Sequence, residues 1–301
     1  MCDLSVIIVS YNTRAMLKAC IESVYRNTKD LDFEVIVVDN NSADGSQEML
    51  AVEFPQVIKI LNRENRRWAG GNNQGIQSAS GRAVVLLNSD TVIGERALEK
   101  TTVFMNRTPE AAIVGCRLLN PDGTVQLSCN GFPSVWNLME ETFFLYKIFP
   151  NSEIFGHYYL NTFHYDHVER VDMASGACLF IRRAIFEKVG LMDESFSFYG
   201  EETDFCFRAK QLGIQTYYYP DAEVIHYGGA SQSNLQKRFD LLYRSIIHFV
   251  RKHFRGPERY CMIGLKTLGV LLRVGVYFLT GIFTLDGNYV KKSLHYLKIL
   301  F

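Results

Sequence analysis

The sequence carries no net charge, because 32 Lys and Arg balance 32 Asp and Glu over 301 residues. This neutrality argues against a protein that binds nucleic acid through a general basic surface. The seven cysteines stand singly, with no C-x-x-C pair. That pattern excludes a disulfide scaffold and a cysteine-rich zinc site, and indicates a reduced, cytosolic protein. An export signal is not expected either, because the apolar run Leu4–Val9 is short and no basic residues precede it.

Two glycine-rich nucleotide motifs are also missing. The segment Gly70–Gly75 does not fit G-x-G-x-x-G, and G-x-x-x-x-G-K-[ST] occurs nowhere. An NAD-dependent oxidoreductase and a P-loop enzyme thereby lose their main support. Internal repeats and low-complexity tracts are absent. The composition is that of a folded protein, 48% hydrophobic and 21% charged, long enough for one elaborated domain with an appendage or for two domains.

The first 116 residues alternate between two kinds of segment. Apolar, β-branched runs predict buried strands at Ser5–Ser10, Glu34–Asp39, Val57–Leu61, Ala83–Asn88 and Ala112–Cys116. Helices are predicted between them at Arg14–Asn27, Gln47–Phe54, Gly71–Ser78 and Glu95–Asn106, with candidate N-caps Thr13, Ser42 and Asp44 and a stop at Pro109. The alternation predicts an α/β fold with a parallel sheet, whose ligand crevice lies beyond the carboxyl ends of the strands.

The later part of the chain is less regular. Residues 118–171 are aromatic-rich, with a predicted hairpin at Pro121–Gly123 and then a variable insertion. From Asp172 the pattern becomes regular again. It predicts a strand at Ala177–Ile181, then a short helix, and then a helix that begins with the acidic segment Glu201–Asp204. Two strands are predicted after it, at Gln215–Tyr219 and Glu223–His226.

A basic tail follows an acidic body. Residues 237–301 hold 12 Lys and Arg against 3 Asp and Glu, and an amphipathic helix is predicted over 235–254. Four polar residues of the apolar segment 262–285 fall on one helix face: Lys266, Arg273, Thr280 and Thr284. Such a stripe favours a helix lying in the plane of an anionic membrane surface over one that spans the membrane. Docking on the protein's own core and a homodimer are the alternatives.

Polar clusters follow the predicted strands directly. They lie at Ser10–Asn12, Asp39–Ser46, Asn62–Gly71 and Asn88–Asp90. The Asp39 carboxylate is positioned to accept hydrogen bonds from a pyrimidine edge or a ribose hydroxyl, with a turn as the alternative. Asp90 is positioned to hold a divalent cation on a diphosphate, with a helix cap as the alternative.

Two further candidates come later in the chain. Glu201, Glu202 and Asp204 open a helix, where the helix dipole favours acidic residues. They also follow an aromatic segment, and a carboxylate in an aromatic-walled pocket has a raised pKa, which suits a general base. His226 ends a strand before two glycines, as a metal or phosphate ligand would, although a lone histidine can equally be structural.

Taken in order from Ser5 to Ser231, these segments resemble family 2 glycosyltransferases with the GT-A fold. The resemblance is carried by Ser5–Asn12, Val37–Ser42 with Asp44–Ser46, Ala69–Gly75, Leu87–Asp90, Ser175–Ala177, Gly200–Asp204 with Arg208, and His226–Ser231. Within the family, the Gly-Glu-Glu-Thr-Asp segment and the His-x-Gly-Gly-x-Ser ending are most similar to bacterial rhamnosyltransferases of cell-surface polysaccharide assembly.

The resemblance implies a mostly parallel, Rossmann-like sheet flanked by helices, and a role for each matched residue. A nucleotide-sugar donor would bind at Ser10, Tyr11, Asn12, Asp39, Asn41, Asn73, Ser89, Asp90 and Gly176. Asp90, with His226, would hold Mg²⁺ or Mn²⁺ on the diphosphate. Glu202 would be the base that deprotonates the acceptor hydroxyl for direct, inverting displacement at the anomeric carbon.

The chain departs from the family pattern in three ways. Asn88 stands where the first Asp of Asp-x-Asp is usual, so metal binding would rest on Asp90 and His226. Glu202 stands in place of an Asp, and its neighbour Glu201 remains a second candidate for the base. The Gln-x-x-Arg-Trp motif of processive synthases is missing, which favours transfer of one sugar per encounter.

The resulting hypothesis is transfer of L-rhamnose from dTDP-rhamnose to a glycan or lipid-linked glycan at the cytoplasmic face of the cell membrane. A UDP-hexose-dependent transferase and an inactive nucleotide-sugar- or glycan-binding protein are the alternatives. The predicted division is a GT-A domain over 1–233, with a nucleotide-binding half (1–117) and an acceptor and catalytic half (118–233). A basic, membrane-associating helical extension follows over 234–301.

Overall fold

The computed structural model describes residues 2–152, 154–197, 199–228 and 235–300. The chain divides into two compact units. The first comprises Met1–Cys129, His164–Ser195 and Glu201–Ser231, and the second comprises Asn130–Phe163, Phe196–Gly200 and Gln232–Phe301. Residues 130–163, which the sequence analysis assigns to the acceptor half, therefore belong with the C-terminal helices. The reason is that a helix of this insertion packs against the long helix of the tail.

The strands, in chain order, are β1 (Leu4–Ser10), β2 (Phe33–Asp39), β3 (Ile58–Leu61), β4 (Ala83–Asn88), β5 (Thr91–Ile93), β6 (Ala111–Leu119), β7 (Cys129–Asn130), β8 (Glu169–Val171), β9 (Met173–Ala174), β10 (Cys178–Arg182) and β11 (Gln215–His226). The helices are α1 (Arg14–Asn27), α2 (Ser46–Glu53), α3 (Arg67–Ser78), α4 (Ala97–Arg107), α5 (Val135–Thr142), α6 (Leu145–Ile148), α7 (Ala184–Val189), α8 (Glu201–Gln211), α9 (Leu235–His253), α10 (Gly256–Thr284) and α11 (Gly287–Lys298).

The sheet of the first unit has the order β3-β2-β1-β4-β10-β6-β11-β5, with β8 paired to β11. The first four strands are parallel, as predicted. β6 is not their direct neighbour, because β10 lies between β4 and β6 and runs antiparallel to both. The two strands predicted at the end of this unit form one strand, β11, with a register shift between Tyr219 and Glu223.

Helices cover both faces of this sheet. On one face, α1 packs its Leu17 and Ile21 into the core cluster that contains Val6 and Ile8 of β1. On the other face, α3 approaches β1 closely, because a Cβ atom at Gly75 would lie 2.4 Å from Ile7 Cγ2. This arrangement confirms the α/β layering predicted from the alternation.

The loop after β2 ties the starts of two helices together. Asp44 accepts hydrogen bonds from the backbone N–H groups of Arg14 (2.7 Å) and Ser46 (3.1 Å), the first residues of α1 and α2. One carboxylate thus satisfies an unpaired donor of each helix and faces the positive ends of both dipoles. The prediction of Ser42 and Asp44 at N-cap positions is wrong, because Gly45 occupies the N-cap position of α2; Asp44 satisfies the helix donors from the residue before it.

The second unit is helical among its described residues, and its core cluster joins Leu138 of α5, Val250 of α9 and Met262 of α10. Helix α9 confirms the helix predicted over 235–254. Two residues of the predicted polar stripe of α10 face the segment 130–163, since Lys266 Nζ lies 2.8 Å from Glu141 Oε2 and Arg273 stacks over Phe144 at 4.7 Å, whereas Thr284 is exposed. For these two residues the alternative of docking on the protein's own core is therefore confirmed, because the Glu141 carboxylate compensates their charge inside the protein.

The apolar side of α10 is left exposed. Among the described residues, α10 is the helix long and apolar enough to cross a membrane, and only 22% of its most apolar stretch of 18 residues is buried. The residues involved include Phe278, Leu279, Ile282 and Phe283, which are 49%, 54%, 51% and 83% exposed. The apolar side chains near the end of α10 are thus exposed, whereas Met262 and Val270, nearer its start, are buried.

Candidate active site

Three parallel strands deliver the predicted polar residues to one edge of the sheet. In the ladder, Ser10 of β1 lies opposite Asp39 of β2, and Val9 lies opposite Asn88 of β4. Hydrogen-bonded hydroxyl groups link the loop after β1 to the loop after β4, from Ser10 to Thr13 (3.0 Å) and from Thr13 to Ser89 (2.9 Å). Parallel pairing therefore brings the predicted ligands at positions 10, 39 and 89 to the carboxyl ends of the strands, where α/β sheets bind ligands.

Asp39 is fully buried, and only one of its two carboxylate oxygens has hydrogen-bond partners. Its Oδ1 accepts hydrogen bonds from the Ser42 backbone N–H (2.9 Å) and from Gln47 Nε2 (2.7 Å). Its Oδ2 is buried and has no hydrogen-bond partner. A buried carboxylate oxygen without a donor is costly. An oxygen atom of this kind at the ligand edge of the sheet is suited to accept a hydrogen bond from a bound molecule.

The loops after β1 and β2 fix each other. Asn12 and Asn41 both adopt left-handed backbone conformations, with φ of 54° and 67°. The Asn12 backbone N–H donates to Ser42 Oγ (2.9 Å), and its side-chain oxygen accepts from the Ala43 N–H (2.8 Å). Tyr11 is 48% exposed beside this cross-link. Of the predicted ligands here, Tyr11 and Asn41 present exposed side chains, while the Asn12 amide oxygen is already used within the protein.

Asn73 and Gly176 both have packing roles in the structure. The Asn73 amide bonds the carbonyl and the N–H of Met192 at 2.9 Å each, and it also donates to Glu194. It thereby ties α3 to the segment that follows α7. At Gly176, a Cβ atom would lie 2.6 Å from Trp68 Cζ2, so the absence of a side chain makes room for the indole ring.

His226 and Asp90 meet at the end of β11. The distance from His226 Nε2 to Asp90 Oδ1 is 3.4 Å, and both side chains are largely buried. The other ring nitrogen, Nδ1, lies 2.6 Å from Gln126 Oε1. Asn88 completes the group, with its Nδ2 at 3.5 Å from His226 Nε2 and its Oδ1 accepting from Trp68 Nε1 at 3.0 Å.

The donor set of this group fits one kind of metal site. Among the described residues there is no cluster of three or more His, Cys, Asp and Glu side chains that could hold an ion by itself. Asp90 and His226 offer two ligand atoms on one side. Mg²⁺ and Mn²⁺ in nucleotide sites are commonly held by one or two carboxylates together with substrate phosphates. Two protein ligands therefore fit a cation that arrives with a diphosphate.

The two adjacent glutamates at the start of α8 differ in environment. Glu201 is only 2% exposed, and its Oε1 is buried without a partner. Burial, and secondly the negative charge of Glu202, raises the pKa of the Glu201 carboxyl from 4.5 to about 8. Glu202 is partly exposed. The predicted raised pKa is thus present at Glu201, while Glu202 is the member of the pair that solvent reaches.

The family model for glycosyl transferase family 2 matches residues 5–190, and the chain belongs to this family. The N-acetylglucosaminyl-diphospho-decaprenol L-rhamnosyltransferase of Mycobacterium tuberculosis is 25% identical over 87% of this chain and 89% of its own length. The hexosyltransferase Agl10 of low-salt glycan biosynthesis in Haloferax volcanii is 27% identical, with 82% and 73% covered. The O-antigen biosynthesis protein RfbC of Myxococcus xanthus is 28% identical over 75% of this chain, which spans only 17% of RfbC.

Solved structures confirm the GT-A fold. A mannosyltransferase from Pyrobaculum calidifontis in complex with GDP-Man and Mn²⁺ superposes with a TM-score of 0.56 at 14% identity, covering 99% of this chain and 86% of that one. GalNAc-T7 with UDP, GalNAc and Mn²⁺ gives 0.56 at 14% identity, covering 89% and 54%. At 14% identity, the structural similarity is evidence for a shared fold only.

Two residues of the site were not predicted. Trp68 could have been noticed as one of only two tryptophans in the chain, standing directly before the glycine loop. Gln126 carries no signal of its own, because it lies in the irregular segment after the hairpin and reaches His226 across 100 residues.

The raised pKa of Glu201 predicts a pH dependence of stability. Between pH 4.5 and about 8 the folded protein keeps a proton on Glu201 that the unfolded chain releases. The free energy of unfolding therefore falls as the pH rises through this window. Glu201→Gln mimics the protonated carboxyl and abolishes its titration, so the Tm of the variant relative to wild type should rise from pH 5 to pH 8. Circular dichroism melts at several pH values measure this.

Glu187→Gln, at an exposed position of α7, is the matched control and should follow the wild-type curve. A Glu201→Gln profile parallel to wild type would contradict the assignment of a buried, protonated carboxyl.

Proposed function

We propose that the chain is an inverting glycosyltransferase that transfers one sugar from a nucleoside diphosphate donor to a glycan acceptor, with L-rhamnose from dTDP-rhamnose as the favoured donor. The observation that carries the proposal is the unpaired Asp39 oxygen at the same sheet edge as the Asp90–His226 pair. An acceptor for a base or ribose hydroxyl and a cation site for a diphosphate are the two parts that such a donor needs.

Asp39 Oδ2 would accept a hydrogen bond from the nucleobase or the ribose of the donor. Asp90 and His226 would hold Mg²⁺ or Mn²⁺, which neutralises charge on the diphosphate when bound. Tyr11 and Asn41, exposed at the cross-linked loops, are available to line the same donor.

Glu202 is our choice for the general base. Glu201 is buried and holds its proton up to about pH 8, so it neither reaches an acceptor readily nor accepts a proton near neutral pH. Glu202 would take the proton of the acceptor hydroxyl as the oxygen attacks the anomeric carbon. The bond from that carbon to the diphosphate oxygen breaks at the same time, and the nucleoside diphosphate leaves with the electron pair.

The rhamnosyl donor is supported by the mycobacterial relative, whose name specifies L-rhamnosyl transfer and which matches nearly the full length of this chain. The archaeal relative is named as a hexosyltransferase, which supports transfer of another hexose as the second candidate; for that candidate we take a UDP-hexose as the donor. The two candidates differ in the nucleotide that the Asp39 region selects.

Calorimetric titration of dTDP, UDP and GDP, each with and without Mn²⁺, distinguishes these candidates. We expect dTDP to bind most tightly and its affinity to fall when the metal is chelated. Tightest binding of UDP would retain the transferase but favour the hexosyl donor. If none of the three nucleotides binds, the proposed enzyme function is wrong.

Glu202→Gln tests the base directly. Loss of a general base typically costs about 10²- to 10⁴-fold in rate, so transfer should fall by that factor while the affinity for the nucleotide stays unchanged. A transfer assay with the preferred donor and calorimetry on the same sample measure both quantities.

Glu201→Gln is the matched control, since a buried carboxyl that is already protonated loses little by becoming an amide. If Glu201→Gln abolishes transfer and Glu202→Gln does not, the two assignments are reversed.

We further propose that the second unit binds an anionic membrane surface at the cytoplasmic face. The exposed apolar side of α10 supplies side chains for shallow insertion among lipid chains. Lys291, Lys292 and Lys298 of α11 are also exposed and would lie against anionic headgroups. The ion pair of Lys266 with Glu141 supports this role, because it compensates a charge of α10 inside the protein and does not cover the apolar side of the helix.

Substituting Leu279 and Phe283 together by Asp should release the full-length protein from vesicles. Burying one Leu or Phe side chain is worth about 1.5–3 kcal/mol, so partitioning onto vesicles of phosphatidylcholine and phosphatidylglycerol should fall at least about tenfold in a sedimentation assay. Val52→Asp, at a 79% exposed position of α2, should leave partitioning unchanged. A wild-type dimer that becomes monomeric in the double variant, without vesicle binding by either protein, would contradict the membrane role.

A further inference from the structure

The tryptophan at the start of α3 controls the orientation of Asn88. An indole N–H can only donate a hydrogen bond. Because Trp68 Nε1 lies 3.0 Å from Asn88 Oδ1, the amide oxygen must face the indole and the amide nitrogen must point away from it. The backbone of Asn88 is also held, since its N–H donates to the Ala177 carbonyl at 3.0 Å and its carbonyl accepts from Thr91 Oγ1 at 2.8 Å.

The orientation of Asn88 in turn selects the tautomer of His226. The Asn88 amide nitrogen, a donor, faces His226 Nε2 at 3.5 Å. A proton on Nε2 would oppose the amide hydrogens, so Asn88 favours a lone pair on Nε2 and the ring proton on Nδ1, against the effect of Asp90 Oδ1, which lies 3.4 Å from the same nitrogen and would accept a proton from it.

The contacts of the other ring nitrogen, Nδ1, also favour the Nδ1–H tautomer. Gln126 Nε2 donates to Asn120 Oδ1 at 2.9 Å and to the His226 carbonyl at 3.3 Å. These bonds turn Gln126 Oε1 toward His226 Nδ1, at 2.6 Å. An acceptor at this position requires a proton on Nδ1, so the Gln126 and Asn88 networks favour the same tautomer.

With this tautomer, a lone pair of His226 Nε2 and an oxygen of Asp90 face each other at 3.4 Å. Two facing acceptors repel unless a cation or proton lies between them. Histidine ligands of metals are commonly oriented in this way, through a hydrogen bond from the nitrogen that does not bind the metal.

Trp68 itself is held firmly in place. Its ring occupies the space that a side chain at position 176 would need, with Cζ2 only 2.6 Å from the position of a Cβ atom on Gly176. The indole is thus confined by Gly176 on one side and bonded to Asn88 through its N–H.

We propose that Trp68 is a positioning residue that acts through Asn88 to favour the Nδ1–H tautomer of His226, which leaves the Nε2 lone pair beside Asp90; a divalent cation bound there would replace the 3.5 Å contact between Nε2 and the Asn88 amide. The inference rests on the proposed function for its cation and on the hydrogen bonds above for the tautomer. The same bond turns the Asn88 oxygen toward Trp68 and its amide nitrogen, which does not coordinate metals, toward His226.

Trp68→Phe tests the proposal, because phenylalanine keeps an aromatic ring over Gly176 and removes only the N–H donor. Long-range ¹H–¹⁵N spectra of histidine-labelled full-length protein at a fixed pH report the tautomer, with the His226 signal assigned by its loss in His226→Asn. We expect the Nδ1–H form in wild type and a rise of the Nε2–H form in Trp68→Phe, since Asn88 is then free to turn its oxygen toward the ring. Titration with Mn²⁺ alone should show affinity weakened by about 10- to 100-fold, the usual effect of losing an outer-shell partner.

Trp136→Phe is the matched control, because it removes the indole N–H of the chain's other tryptophan, which donates to the Ile154 carbonyl. It should change neither the tautomer nor the affinity for Mn²⁺. Asn88→Asp is a second variant that keeps Trp68: both of its side-chain oxygens accept, so it should move the His226 proton to Nε2 even if Trp68→Phe fails to fold.

An Nε2–H tautomer in wild type, or an unchanged tautomer in both Trp68→Phe and Asn88→Asp, would overturn the proposal. If wild type has the Nδ1–H tautomer and both variants shift it, but wild type binds no Mn²⁺, the positioning role of Trp68 stands and the metal role in the proposed function fails.

Discussion

Parallel pairing of β1 with β2 and β4 is the constraint on which the rest of the site depends. The register puts Ser10 opposite Asp39 and Val9 opposite Asn88. A slip of one residue would turn the buried residues of a strand to the opposite face of the sheet. The apolar residues of these strands therefore determine where the polar residues at their ends come together. The loops then add their own restraints, as in the exchange between Asn12 and the Ser42–Ala43 segment.

The polar groups at this edge are kept in states that water would not favour. Asp39 keeps one oxygen buried without a donor, and Glu201 keeps its proton because burial penalises the charged form. In the proposed tautomer, His226 and Asp90 bring two acceptors close together. Each arrangement costs free energy of folding, and each would be relieved by a specific partner: a hydrogen-bond donor, a proton or a cation. Sites that bind ligands commonly break the rules that the rest of a fold obeys.

In the second unit, α10 buries two charged side chains and exposes apolar ones. Lys266 bonds both oxygens of Glu141 and is almost fully buried, while Arg273 stacks on Phe144. This buried ion pair orients α10 and leaves its apolar side without cover from the described part of the chain. An ion pair that has lost its solvent needs close geometry to compensate for desolvation, and the bidentate contact with Glu141 provides it.

Local patterns in the sequence were sufficient for the order of β1–β4, α1–α4 and β6, for both ends of α1 and for the polar residues at the strand ends, because hydrophobic periodicity and helix-breaking residues act over a few positions. The short strands β5, β8 and β9 were not predicted. Contacts between distant segments were not accessible in that way. The insertion of β10 between β4 and β6, the link from Trp68 through Asn88 to His226, and the unequal burial of Glu201 and Glu202 all depend on tertiary packing. The sequence of α10 likewise determined that one face is polar and the other apolar. Only the tertiary structure decided that Lys266 and Arg273 of the polar face turn inward, because that choice depends on Glu141, which lies 125 residues before Lys266 along the chain.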